Sequence, residues 1–287
     1  GTAFRWAVLL NLAYLLGEVA AGLLVGSLAL LADAAHNLTD VAGLLLAWGA
    51  AALASRRPRG RFTYGFGRGT ILAALGNAVA ILVGVGAVLW EAVSRLAAPP
   101  PVPGGTVLAV ALVGIAVNAG TAFLFREQAR HDLNARGAFL HMAADAAVSL
   151  GVVLAAGLIL LTGLDLLDPV VAILVSLIVA WTAFELLRAS LGLSFDAVPR
   201  GIELERVRAF LAARPGVREV HDLHIWPLST TTTALTAHLV MPGGHPGDRF
   251  LAELAHELEE RFGIAHATVQ IETADGATCR LAPDDVI

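Results

Sequence analysis

The chain has no lysine, a single cysteine and few charged residues, and each shortage excludes a class of protein. Charged residues make up 15% of the 287 residues, whereas a soluble globular domain carries about 25%. The net charge of −5 gives no support to a nucleic-acid-binding surface, which needs a basic patch. The lone Cys279 excludes an intrachain disulfide framework. No cleavable signal peptide is predicted.

Long apolar runs take the place of the missing charge. Apolar residues account for 57% of the sequence, and the mean hydropathy is +0.73. A helix needs about 20 apolar residues to cross a bilayer. Segments that meet this length lie at residues 5–26, 29–54, 70–95, 105–125, 137–162 and 168–191. We therefore expect a polytopic α-helical membrane protein with six transmembrane helices in residues 1–193, followed by a smaller domain in residues 194–287.

Arginine predicts the orientation of these segments. The second and fourth connections carry the loop arginines, which are Arg56, Arg57, Arg59, Arg61, Arg68, Arg126, Arg130 and Arg136. Cytoplasmic loops are enriched in basic residues, so we expect these connections, both termini and the smaller domain to be cytoplasmic. In a prokaryote the protein would span the inner membrane. At the sixth segment, Asp168 and Pro169 are typical of a helix start, with the aspartate as the cap.

Two His-x-x-x-Asp motifs lie within the second and fifth apolar segments, at His36 and Asp40 and at His141 and Asp145. Four residues advance an α-helix by about 400° and roughly 6 Å, so each histidine shares a face with its aspartate. Ionisable side chains in hydrocarbon are costly and usually functional. Two imidazoles and two carboxylates supply four ligands for tetrahedral zinc. The two carboxylates also cancel the charge of a divalent ion, which makes its burial less costly.

Several alternatives to a zinc site remain open. Two buried His–Asp pairs could simply hold helices together, although the repeated spacing favours a metal. Magnesium and calcium prefer all-oxygen ligands, whereas cadmium, cobalt, nickel, iron(II) and manganese remain alternative cargo. An intramembrane metal enzyme needs an open metal position and a general base, and the sequence contains no His-Glu-x-x-His motif. A metal-sensing receptor would not need ligands in mid-membrane.

Three further polar residues lie in the apolar segments near these motifs. Asp33 falls on the same helix stripe as His36 and Asp40, and we expect it to support the ligands as an outer hydrogen-bond partner. Asn37 is a weaker candidate for the same role. Glu18, in the first segment, is either a protonated packing residue or a carrier of protons.

The ligand chemistry predicts the mechanism. Zinc binds neutral histidine and ionised aspartate, so metal loading releases protons and protonation expels the metal. A site that opens alternately to each side would therefore exchange zinc for protons, because histidine titrates near pH 6.5. The sequence predicts a proton-coupled antiporter that exports zinc from the cytoplasm, and not an enzyme.

The residues after about 200 predict a small α+β domain of the ferredoxin-like kind, in the order helix, strand, strand, helix, strand. The helices are expected at Ile202–Ala213 and Pro246–Phe262, and the strands at Val217–Pro227, Thr231–Met241 and Ala267–Glu272. A hairpin turn near Ser229 and Thr230 would place His221 opposite His238, within bridging distance of one metal. His266 and Glu272 flank the last strand and could complete the site. The alternative is scattered surface histidines.

Four stretches of the sequence resemble the cation diffusion facilitator family, and specifically its zinc-transporting branch. They begin with the run from Ser27 to Asp40, and continue with Tyr64–Arg68, Leu133–His141 with Asp145, and the run from His221 to Trp226. The resemblance covers nearly the whole chain. It implies a six-span bundle with a cytoplasmic ferredoxin-like domain, a homodimer, and export of zinc against protons.

The same resemblance implies which residues bind metal. The transport site would be built by His36, Asp40, His141 and Asp145. The cytoplasmic zinc ligands would be His221, His238, His266 and Glu272. The connection at residues 55–68 holds no histidine, aspartate or glutamate, so the additional metal site that some members carry there is expected to be absent.

Overall fold

The computed structural model describes the backbone at residues 2–54, 56–125, 133–273 and 279–282. Within these ranges it does not describe the side chains of residues 2–8, 39–40, 42–48, 50–51, 54, 122, 124–125, 133–144 and 147. The chain divides into two compact units, described separately below. The first contains Gly1–Leu45 and Gly76–Leu187, and the second contains Leu46–Leu75 and Arg188–Ile287.

Long helices occupy the positions of the predicted apolar segments. They are α1 (Thr2–Val25), α2 (Leu28–Ala54), α3 (Gly69–Arg95), α4 (Gly104–Phe125), α5 (Leu133–Thr162) and α6 (Leu167–Ser194). Among the residues with described side chains, three helical stretches are long and apolar enough to cross a membrane: Gly69–Arg95, Gly104–Thr121 and Leu167–Ser194. Leu9–Val25 and Val148–Thr162 are shorter apolar stretches.

Helix α2 contributes buried residues to three apolar clusters of the first unit. Its Leu28 and Ala32 pack with apolar residues of α3 and α6. Its Ala29 and Leu30 pack with residues of α4 and α5. One turn further on, Ala34 packs with Leu15 of α1 and with Val41 of α2 itself. The helix that carries the first His-x-x-x-Asp motif is therefore held on several sides by buried apolar side chains.

Asp168 caps α2, although the sequence predicts that it caps its own helix. Its carboxylate is 1% exposed and accepts hydrogen bonds from Ser27 Oγ at 2.5 Å, Leu28 N at 2.7 Å and Ala29 N at 3.3 Å. Ser27 directly precedes α2, and the two amide groups belong to its first turn, where amides have no partner within the helix. The carboxylate of α6 therefore joins the N-terminal ends of two helices that lie far apart in sequence.

The second unit contains a three-stranded sheet with two helices, in the order that the sequence predicts. The elements are α7 (Leu204–Ala212), β1 (Glu219–Pro227), β2 (Thr233–Val240), α8 (Asp248–Phe262) and β3 (Ile264–Glu272). β2 is the central strand, antiparallel to β1 and parallel to β3. Among the described residues this is the ferredoxin-like order without its first strand. Both helices contribute buried residues, such as Leu211 and Leu258, to a core shared with the sheet.

Residues 67–70 of the second unit contact the turn between β1 and β2 and the segment that follows α6. Thr70 Oγ1 accepts a hydrogen bond from Thr230 N at 2.9 Å, and Arg68 forms an ion pair with Asp196. A Cβ atom at Gly67 would lie 2.6 Å from the carbonyl oxygen of Leu228. Only glycine allows this close approach of the two backbones.

Candidate metal sites

The two His-x-x-x-Asp motifs meet across α2 and α5. His36 Nε2 lies 3.0 Å from Asp145 Oδ1, and the two side chains are 13% and 3% exposed. The histidine of one motif thus contacts the aspartate of the other. This contact is compatible both with a shared metal site and with the alternative of His–Asp pairs that hold helices together. The side chains of Asp40 and His141 lie outside the described residues.

A buried polar network lies beside this pair and contains the predicted supporting residues. Ser149 Oγ of α5 donates to Asp33 Oδ2 at 3.0 Å. Asn37 Nδ2 donates to Glu18 Oε2 at 2.9 Å, and Tyr14 OH donates to Glu18 Oε1 at 2.7 Å. The carboxylate of Glu18 is fully buried and therefore holds α1 against α2 through the amide next to His36. The sequence showed Glu18 but gave no indication of these partners.

A β-bulge in β1 brings the histidines of the second unit together. The strand register pairs His224 with Thr236 and His221 with His238, so β1 contains one residue more than β2 between these pairs. Successive strand residues point to opposite faces of a sheet. Without the extra residue, His221 would share the face of Ile225, which belongs to the apolar core. The bulge turns His221 to the other face, beside His238.

Four potential ligands converge on that face. They are His221, His238, Glu272 and Cys279, and one ligand atom from each lies within 4.8 Å of all the others. His238 Nδ1 is 2.9 Å from Glu272 Oε1 and 3.5 Å from Cys279 Sγ. His221 Nε2 is 3.3 Å from the same glutamate oxygen. Two imidazoles, a carboxylate and a thiol are a complete ligand set for tetrahedral zinc. We refer to these four residues as the cytoplasmic cluster, after the location that the loop arginines predict for this domain.

The donor groups fit a metal better than they fit one another. His221 is 3% exposed, and neither of its ring nitrogens makes a hydrogen bond among the described residues, although Nε2 lies 3.3 Å from Glu272 Oε1. A buried polar atom without a partner costs about 1–3 kcal/mol, and a bound cation would remove that cost. The imidazole is therefore placed as a ligand would be.

The acid–base properties of the cluster also suit a cation. Burial tends to raise the pKa of Glu272, but the hydrogen bond from Cys279 and the two imidazoles outweigh it and hold the pKa below its usual value. The carboxyl group is therefore ionised at neutral pH. The hydrogen bond to Glu272 raises the pKa of the Cys279 thiol, so the sulfur keeps its proton until a metal replaces it.

The structure places one predicted ligand elsewhere and adds one that was not predicted. His266 pairs with Ala234 at the start of β3, six residues before Glu272, which is about 20 Å along a strand. Its ring contacts Tyr64, with 5.7 Å between ring centroids. The assignment of His266 to this group is thus not reproduced, and Cys279 stands there instead. The sequence did offer an indication of this ligand, because Cys279 is the one cysteine of the chain and a thiolate is a common zinc ligand.

Two family models match the chain. The model described as the cation efflux transmembrane domain matches residues 5–193. The model described as the cytoplasmic domain of cation efflux proteins matches residues 199–274. Together they cover both the helical part that holds His36 and Asp145 and the sheet that holds most of the cytoplasmic cluster.

Curated relatives match over nearly their whole length. Zinc transporter ZitB of Escherichia coli is 37% identical over 272 residues, covering 93% of this chain and 87% of the relative. The metal cation efflux system protein CzcD of Cupriavidus metallidurans is 37% identical over 274 residues, covering 95% and 86%. A cadmium, cobalt and zinc/H(+)-K(+) antiporter of Bacillus subtilis is 32% identical, covering 91% and 85%.

Among solved structures, the metal-bound C-terminal domain of the CzcD transporter is 38% identical to this chain. It covers 25% of this chain and 98% of its own length, with a TM-score of 0.22.

Proposed function

This chain belongs to the cation efflux family, also known as the cation diffusion facilitators, and we propose that it exports zinc from the cytoplasm in exchange for protons. Members of this family are secondary transporters and not enzymes. The relatives support efflux of zinc or a similar divalent metal. The observation that supports zinc as the cargo is the buried contact between His36 and Asp145 across two helices.

The proposed transport site is tetrahedral and contains both motifs. If the helices cross the membrane alternately up and down, α2 and α5 run in opposite directions. His36 and Asp145 are in contact and so lie at one depth. Asp40 comes four residues after His36 and His141 four residues before Asp145, so in antiparallel helices both lie about 6 Å away in the same direction. These four residues would hold the ion, with Asp33 and Asn37 supporting them from the network beside α1. Two carboxylates would neutralise the divalent charge within the membrane.

Proton exchange follows from the protonation states of the ligands. The metal needs neutral imidazoles and ionised carboxylates. When the site opens to the more acidic side, protons compete with zinc for the same atoms and release it. When it faces the cytoplasm, the deprotonated ligands accept zinc again. Alternating access of one site therefore suffices for antiport, with the energy supplied by the pH gradient.

The proposed arrangement in the membrane is six spans with both termini and the second unit in the cytoplasm. The arginines at residues 56–68 support this orientation through the positive-inside rule. In a prokaryotic cell this membrane is the inner one. We also propose a homodimer, because the matched cytoplasmic domain model is that of a dimerising domain.

Metal selectivity can be measured in proteoliposomes with an imposed pH gradient. We expect zinc transport with counterflow of protons, slower transport of cadmium and cobalt, and manganese transport slower than zinc by about 10-fold or more, because imidazole ligands favour zinc over manganese. Stopped-flow recording of metal- and pH-sensitive dyes checks both fluxes. Zinc flux that does not respond to the pH gradient would exclude antiport. Faster manganese than zinc would exclude zinc as the principal cargo.

We further propose that zinc binds the cytoplasmic cluster as a resident ion. His221, His238, Glu272 and Cys279 would hold it, and the charge of the ion would be matched by one carboxylate and one thiolate. A bound metal would join the segment after β3 to the face of the sheet. The four residues would then act in metal sensing or stability, separately from the cargo path.

Zinc is expected to protect Cys279 from alkylation. The thiolate is the reactive form. A sulfur bound to zinc should react at about one tenth of the zinc-free rate, or more slowly still. Mass spectrometry of the full chain gives the rate directly, since no other cysteine is present. The His238→Ala variant should lose the protection, and His256→Ala, whose exposed imidazole faces Glu260 in α8, should keep it. Equal alkylation rates with and without zinc in the wild type would rule out zinc binding by the cytoplasmic cluster.

A further inference from the structure

Asp222 occupies an unusual backbone position next to the cytoplasmic cluster. It lies in the bulge of β1, between the residues that pair with His238 and Thr236. Its φ is +49°, in the left-handed region. This region is unfavourable for most L-residues, but aspartate and asparagine are several-fold enriched there. The bulge therefore uses a residue that tolerates the backbone conformation and also carries a carboxylate.

The carboxylate of Asp222 faces two imidazoles. Its Oδ1 lies 2.9 Å from His224 Nε2, and its Oδ2 lies 3.4 Å from His238 Nε2. The side chain is only 12% exposed. The other ring nitrogen of His238, Nδ1, is the atom that faces Glu272 and Cys279. The ring of His238 is thus placed between the ligand group on one side and Asp222 on the other.

We propose that Asp222 is a positioning residue for the cytoplasmic metal site, which accepts the Nε2 proton of His238 and so presents Nδ1 to the ion. This inference rests on the proposed binding of zinc by the cytoplasmic cluster. A neutral imidazole carries one proton, and the partner of the protonated nitrogen decides which nitrogen is free to bind a metal. A carboxylate behind a metal-binding histidine fixes the ring and makes the free nitrogen a better donor.

The contact between Asp222 and His224 serves the same purpose. It engages the second carboxylate oxygen at 2.9 Å, which limits rotation of the carboxylate away from His238. His224 itself is 46% exposed and does not belong to the four converging ligands, so its contribution is to hold Asp222. The bulge thus does two things: it turns His221 toward the cluster, and it places a carboxylate behind His238.

Glu219 provides a matched comparison on the same strand. Its Oε1 lies 3.7 Å from Nδ1 of the other cluster histidine, His221. The Glu219 side chain is 53% exposed, however, and an exposed contact at this distance contributes little because water competes for both groups. The nearly buried Asp222 should therefore affect metal binding far more than Glu219 does.

Cobalt titration of the purified full chain tests this proposal. A thiolate bound to Co²⁺ gives a charge-transfer absorption in the near ultraviolet. Because the chain has one cysteine, this absorption reports Cys279 and is not produced by the His and Asp ligands within the membrane. We expect Asp222→Asn and Asp222→Gly to raise the cobalt concentration at half-saturation about 10- to 100-fold, the usual effect of losing an outer partner. Glu219→Gln should change it by less than about 3-fold.

The two Asp222 variants separate the carboxylate from the backbone. Asparagine tolerates a positive φ, and glycine adopts it freely, so both keep the bulge while removing the charge. Weakened binding in both therefore identifies the carboxylate. Wild-type half-saturation in both variants would overturn the role of Asp222 while leaving the metal site intact. If the wild type itself gives no charge-transfer absorption, the proposed metal site fails, and the role of Asp222 fails with it.

Discussion

The Asp145→Asn variant is expected to lose zinc uptake into inverted membrane vesicles by about 100-fold or more. Asparagine has nearly the same volume, and its oxygen can still accept a hydrogen bond from His36, which is 3.0 Å away in the wild type. It removes only the negative charge. The loaded site would then carry uncompensated positive charge in a nearly water-free environment, where Asp145 is 3% exposed. Loss of an outer partner already costs metal sites about 10- to 100-fold, and a ligand should cost more.

Uptake of ⁶⁵Zn at matched protein levels measures this loss, and His36→Ala should abolish uptake in the same assay. Thr182→Val is a suitable control, because its hydroxyl donates only within its own helix, to Val179 O at 3.0 Å. It should transport like the wild type. Full transport in both Asp145→Asn and His36→Ala would rule out the proposed transport site.

The Asp168→Ala variant is expected to lower the free energy of unfolding by about 2–6 kcal/mol. It would leave the amide groups of Leu28 and Ala29 buried without an acceptor, and each such group costs about 1–3 kcal/mol. The negative charge at the N-terminal end of α2, which the helix dipole favours, would also be lost. Thermal unfolding in detergent, followed by circular dichroism, measures the change.

Asp165→Ala is the matched control for Asp168. Asp165 lies three residues earlier, is half-buried and accepts one backbone hydrogen bond, from Val102 N at 3.1 Å. It should therefore destabilise the protein less than Asp168→Ala. Asp168→Asn, which keeps an acceptor oxygen, should fall between the two. If Asp168→Ala unfolds at the wild-type temperature, the contact with α2 is not important for stability.

The positions of the helices could be predicted from the sequence because they depend on local properties. Apolar runs, glycine and proline breaks and loop arginines are all visible along the chain, and the helix ends differ from the prediction by at most a few residues. The order of elements in the second unit follows from local periodicity in the same way. The contact between Ser27 and Asp168 spans 141 residues, and no local pattern indicates such a contact.

The predicted pairing of His221 with His238 is observed, but the prediction assumed a regular hairpin and left out the β-bulge. A turn centred between Ser229 and Thr230 predicts this pair, but the observed turn is centred on Thr230, with Pro227 opposite Thr233. The bulge at Asp222 then restores the pairing. Bulges depend on backbone strain and tertiary contacts, which strand alternation does not reveal. Cys279 was missed for a similar reason, since it lies beyond the last strand and has no place in the periodicity.

The alanine surface of α2 has a consequence for how the protein moves during transport. Ala29, Ala32 and Ala34 are each at most 2% exposed and lie in contacts with different neighbouring helices. Methyl groups do not interlock deeply, so neighbouring helices can shift along α2 at these three positions, whereas the buried Leu28 and Leu30 fix its first turn against the same neighbours. We expect the site to change its exposure through small axial shifts of the neighbouring helices along these alanines, beyond the first turn of α2 and close to His36.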